Sequence, residues 1–96
     1  MIFTWDPEKN DSNLRERGFD FEFATLIFEG ITIEKEDNRK AYGERRVVAM
    51  GNADGIQLTV VYTDRGGAQG APIRRIISAR RSNRREQKAY GESIAP

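Results

Sequence analysis

An α+β fold is what this sequence predicts: a small antiparallel sheet of about four to five strands, with two helices before it and one after. Three observations predict it. Helix-start chemistry stands at Asp6, Pro7 and Glu8; period-two runs recur between Ile31 and Arg81; and a second cappable polar stretch follows Ser82. The chain has 96 residues, 38% hydrophobic and 9% aromatic, which suits one domain spanning residues 1–96 with enough apolar mass to bury a core unaided. It has no cysteine and no histidine, so neither a disulfide framework nor a thiolate metal site is expected, and no cofactor is implied. Asp6 and Glu8 interrupt the N-terminus before any apolar run of signal or membrane-span length, which points to a cytoplasmic protein without membrane contact.

Taken in order, "IFTW" (residues 2–5) alternates and is β-branched or aromatic, a first strand. In "DPEKN" an N-cap aspartate, an N1 proline and a first-turn glutamate suit the unpaired amides of a helix running to Arg17, with Gly18 as its left-handed stop. Asp20 can cap a second helix, "FEFATLIFE", whose Phe23, Leu26 and Ile27 share a core face. "ITIEK" is a strand, and the acidic "EKEDN" that overlaps it reads as a turn without calcium-loop spacing. "RRVVAMG" and "IQLTVVYT" form a hairpin across "NADG". The tip "DRGGAQGAP" leads to a last strand, "IRRIISAR", and Ser82 can cap a closing helix, "NRREQKAYGE", ending near Gly91. The helices are expected largely on one face of the sheet.

The net charge of +1 hides a division. From Arg65 onward eight basic residues face two acidic ones, net +6, whereas the first 64 residues hold eight basic and thirteen acidic, net −5. A basic face for a polyanion on an acidic body is one meaning; mutual complementation of the halves is the other. Strand alternation puts Arg74, Ile76, Ser78 and Arg80 on one side and Arg75, Ile77, Ala79 and Arg81 on the other. If Arg46, Arg65 and Arg75 converge, they can hold a scissile RNA phosphate and stabilise its five-coordinate transition state, with the 2′-hydroxyl of the RNA as nucleophile. A base could come from Glu44, Asp64 or an arginine or lysine acting mainly by electrostatics, and Glu44 beside Arg46 is more often a cross-strand surface pair than a base. Tyr62 and Trp5 read first as packing residues, with base stacking as the alternative.

The blocks "FTWDPEKNDSNLRERGFDFEFA", "YGERR", "VVYTDRG" and "RIISARRSNRREQKAY", in that order over residues 3–90, resemble the BrnT family of toxins from prokaryotic type II toxin-antitoxin operons. The resemblance implies a RelE-like fold and a metal-independent ribonuclease that blocks translation. It also implies neutralisation by a BrnA-like antitoxin whose ribbon-helix-helix region binds DNA, so that operator DNA is met only through the complex. On these motifs Glu44, Arg46, Arg65, Arg75 and Arg80 carry over as the catalytic group, with Arg65 and Arg80 foremost. Arg81, taken with that cluster or with Arg84, Arg85 and Lys88, grips the RNA backbone or meets an acidic antitoxin segment. The histidine usual before Gly18 is here Arg17, which matters only if that histidine serves catalysis rather than packing. A non-catalytic nucleic-acid-binding or antitoxin-binding module is the alternative reading.

Overall fold

The computed structural model describes residues 1–66 and 70–95. The chain runs β1 (Ile2–Trp5), α1 (Pro7–Arg17), α2 (Phe21–Ala24), a 3₁₀ turn (Thr25–Glu29), β2 (Ile33–Glu36), β3 (Val47–Ala53), β4 (Ile56–Gly66), β5 (Pro72–Arg81) and α3 (Arg84–Ile94). The expected α+β class is what forms. The sheet is mixed rather than wholly antiparallel, in the order β1-β5-β4-β3-β2, because β1 adds parallel to β5 while the other pairs form the expected meander. Alternation in a four-residue strand says that it pairs, and nothing about its direction or partner.

The start of α1 follows its chemistry: Asp6 Oδ1 accepts from the Glu8 amide at 2.9 Å, and Gly18, at φ 82°, donates to the Leu14 carbonyl. The corner into α2 is stitched by asparagines on α1. Asn13 Nδ2 donates to the Phe19 carbonyl at 2.9 Å, and Asn10 Oδ1 accepts from the Phe21 amide at 2.7 Å. Asp20 caps α2 as expected, yet the α-helix lasts only to Ala24 before tightening into the 3₁₀ turn. Thr25 Oγ1 bonds the Glu22 carbonyl at 2.6 Å, one of the local bonds with which threonine competes against regular helix. Beyond it, Ile27 lies so close to β3 that a Cβ on Gly51 would stand 2.9 Å from the Cβ of Ile27.

Asp54 and Gly55, both at positive φ, make the two-residue turn between β3 and β4. The core then forms between the α1–α2 layer and one face of the sheet, with Phe21, Ile27, Leu58, Val60 and Ile76 almost wholly buried. Residues 67–69 of the expected hairpin tip lie outside the described residues.

Several expectations are corrected on the other face. Val61 pairs with Ser78 but Tyr62 pairs with Ile76, so Ile77 is an extra residue in β5. This bulge inverts the alternation: Arg74, Ile76, Ala79 and Arg81 follow the core side, while Arg75, Ser78 and Arg80 share the outer face. The closing helix is capped by Asn83, not Ser82, through a reciprocal box with Glu86. Ser82 instead exchanges a hydroxyl bond with Thr59 at 2.8 Å, and α3 continues through Gly91 to Ile94. This helix covers part of the outer face, since Arg85 and Ala89 border a cleft with Ile33, Val48 and Met50, so the helices are split between the two faces. Among the described residues no helix is long and apolar enough to cross a membrane.

Candidate functional site

What α3 leaves uncovered on the outer face is a groove of about 510 Å³. Its floor is Val48, Thr59, Val61 and Ser78, contributed by β3, β4 and β5; its walls are residues 35–39, with Lys35, Glu36, Asp37 and Arg39 as the charged groups, on one side and Arg80 and Glu86 on the other. Arg80 pairs in register with Thr59. Its two terminal nitrogens meet the two carboxylate oxygens of Glu86 at 2.7 and 2.8 Å, a fork-on-fork geometry that fixes the guanidinium plane. The same carboxylate accepts from the Asn83 amide at 2.9 Å, so the cap of α3 and the aim of Arg80 depend on one side chain. The hydrogen bonds from Arg80, ahead of the opposing effect of burial, hold the Glu86 carboxyl below its ordinary range.

Arg39 is aimed in the same way from the opposite wall. Its Nε and one terminal nitrogen reach Asp37 at 2.8 Å each, and Asp37 also accepts from Tyr42 Oη at 3.2 Å. The Asp37 side chain is 1% exposed and that of Arg39 73%, so a buried carboxylate presents an exposed cation. Its hydrogen bonds to Arg39 outweigh desolvation and hold the Asp37 carboxyl far below the usual carboxylate range. A depressed pKa contributes stability above the unfolded value near 3.9, lost as pH falls toward the folded value. The urea midpoint of the wild type is therefore expected to fall on acidification below about pH 4. Asp37→Asn should be less stable at pH 7 and show a flatter acid limb, with Glu86 supplying what slope remains; an acid limb as steep as that of the wild type would reject this account.

A second set of arginines gathers at the far end of the sheet. Glu44 accepts from Arg46 at 3.3 Å and from Arg65 at 3.4 Å, and Arg46 lies over the Tyr42 ring, 4.0 Å from its centroid. Arg75 pairs in register with Thr63 on the outer face and makes no ion pair among the described residues. The expected cluster of Arg46 and Arg65 thus exists around Glu44, but Arg80 is not part of it. Along β4, Thr59, which faces Arg80, and Arg65 are six residues apart, on the order of 20 Å. Arg65 and Arg80 are therefore too far apart to hold one phosphate together, while Arg46 lies between them, next to the groove wall, through its carbonyl on the Asp37 amide at 2.8 Å and its stacking on Tyr42.

The remaining candidates scatter. Arg81 pairs with Leu58 and borders a separate notch with Asn52 and Gln57. Arg84 is exposed on α3, Arg85 lines the cleft under that helix, and Lys88 approaches Glu92 at 4.0 Å. Arg17 donates to the Ala79 carbonyl at 2.7 Å, tying α1 to the part of β5 beyond the reach of β1, which pairs only with residues 73–76. Trp5 and Tyr62 pack as first read. Trp5 meets Phe21 edge to face with centroids 6.3 Å apart, and Tyr62 is buried with its hydroxyl on Glu34. Asp64 is occupied with Arg74, two bonds of 2.8 Å, beneath the Tyr62 ring.

Sequence reasoning missed Lys35, Asp37, Arg39 and Glu86. The Asn-x-x-Glu spacing of residues 83–86 was a legible cap signal, whereas the Arg80–Glu86 pair has no local signature. Among the described residues no three carboxylates converge to hold a metal ion.

The class is thus an α+β protein with an open groove on its sheet, in which Lys35, Arg39 and Arg80 stand among Glu36, Asp37 and Glu86. The family model for the ribonuclease toxin, BrnT, of type II toxin-antitoxin systems matches residues 5–86. The chain therefore belongs to the BrnT family, ribonuclease toxins whose activity is opposed by an antitoxin. Comparison with curated proteins finds no match.

Proposed function

We propose that this toxin cleaves RNA without metal at the groove between Arg39 and Arg80, and so blocks translation in the cytoplasm, the whole of residues 1–96 acting as one unit. The observation that carries the reading is the pair of carboxylate-aimed guanidiniums on opposite walls of one groove, with Lys35 beside Arg39. A phosphate between them meets donors already oriented, which is how fixed dipoles and charges stabilise an anionic transition state without reorganisation. The RNA 2′-oxygen bonds to phosphorus as the bond to the 5′-oxygen breaks; the 2′ proton leaves to Glu86 or water, and the 5′-oxygen is protonated from solvent. Held low by Arg80, Glu86 is a weak proton acceptor, and the arginines therefore carry most of the acceleration.

In this reading Arg46, Arg65 and Arg75 grip flanking phosphates, and Glu44 orients Arg46 and Arg65 rather than acting as a base. Arg84 and Lys88 are free to meet an acidic segment of a BrnA-like antitoxin, whose ribbon-helix-helix region would carry the complex to operator DNA. Incubation of the purified protein with end-labelled RNA in excess EDTA tests the proposal. Discrete fragments are expected, and uncut RNA at enzyme excess would overturn cleavage of free RNA and favour a binding-only module.

A further inference from the structure

Between α3 and the outer face of the sheet lies a cleft of about 310 Å³ with Ile33, Val48, Met50 and Ala89 among its apolar walls and Arg85 and Glu86 on its border. Its volume sits at the lower end of the range of small-molecule sites, about 300 Å³ and up. The cleft is continuous with the phosphate groove: Lys35, Val48 and Glu86 line both. Two anchors on successive turns of one helical face hold α3 above it. Glu86 is fixed to Arg80, and Tyr90 donates its hydroxyl proton to the Ile31 carbonyl at 2.7 Å. The small side chain of Ala89, next to the second anchor, does not fill the space beneath.

We infer that this cleft is a nucleobase pocket, taking one unpaired base of the strand whose phosphate lies between Arg39 and Arg80. The inference rests on the reading of the groove as a phosphate site. Charge and shape together select the occupant. A nucleotide is an anion bonded to a flat, largely apolar ring, and here a groove that presents the oriented guanidiniums of Arg39 and Arg80, each backed by a carboxylate, opens onto a largely apolar cleft across shared residues. β-Branched walls at Ile33 and Val48, the polarisable thioether of Met50 and the guanidinium plane of Arg85 are surfaces on which a base face packs. A cleft of this size admits one base and not a base pair, so the target is single-stranded at that position.

The test uses the full chain and a short fluorescent RNA, 2′-O-methylated throughout so that it cannot be cut, with a single abasic residue moved along it. Base stacking is worth about 1–3 kcal/mol, so removing the pocketed base should weaken binding about 5- to 150-fold at one position. Ala89→Leu, which fills the cleft and suits a helix, should weaken the intact RNA by a similar factor and erase the abasic penalty. Equal tolerance of the abasic residue at every position would overturn the pocket while leaving the phosphate groove standing, as would a penalty that survives in Ala89→Leu. Failure of intact and abasic RNA alike to bind at low salt would sink both. The wild-type scan decides the matter alone if Ala89→Leu does not fold.

Discussion

Arg80→Ala is expected to lower kcat for RNA cleavage by about 10²- to 10³-fold, the usual loss when one preorganised donor is removed from a developing anion. Arg65→Ala should behave differently. Its pairing with Glu44 at 3.4 Å is loose and its side chain is more than half exposed, so it adds attraction for the strand rather than stabilisation at the reacting phosphorus. Losing it should raise KM and lower the salt slope of single-strand binding by about 0.7, with kcat little changed. Initial rates in EDTA over a range of substrate and salt separate the two variants. A control is needed because Arg80→Ala strands the Glu86 carboxylate that also caps α3; the urea midpoint of the variant reports whether the helix keeps its place. Equal losses of kcat in Arg65→Ala and Arg80→Ala would place the reacting phosphate elsewhere.

Phe21→Ala should cost about 3–5 kcal/mol of folding stability, a large part of the roughly 5–15 kcal/mol that such a domain holds. Phe21 is 1% exposed, sits where α1, α2 and β1 meet, and packs edge to face against Trp5. Its removal opens a cavity that the corner cannot close, because the Phe21 amide stays bonded to Asn10 and holds the backbone in place. Trp5 is the only tryptophan, so its fluorescence reports the urea transition directly. A midpoint within about 1 kcal/mol of wild type would mean that the corner repacks, against the rigidity argued for it.

Much of the architecture was legible because it is local. The Asp-Pro-Glu start of α1, its glycine stop, the Asp54–Gly55 turn and the alternation of Ile56, Leu58, Val60 and Tyr62 each need only neighbours in the chain. The parallel partnership of β1 with β5 joins residues some seventy positions apart, and four alternating residues do not encode it. The site divides along the same line. Arg46 and Arg65 lie near each other because the hairpin folds their strand ends together, and both reach Glu44, which the sequence offered only as a base or as a surface partner of Arg46. Arg39 was passed over because the residues around Asp37 read as a solvated turn, when that aspartate is in fact buried and bonded on every side. Alternation put Arg80 on the same face as Arg74, and a bulge that periodicity cannot reveal sends the two to opposite faces.

That bulge sets a rule of parity. In an unbroken strand two side chains on one face are separated by an even number of residues, yet Arg75 and Arg80 are five apart and share a face because Ile77 is counted once too often. Loss of Ile77 would therefore restore plain alternation with Arg80 still on the groove face and Arg81 still on the core side, whereas straightening the bulge without a deletion would exchange the two arginines.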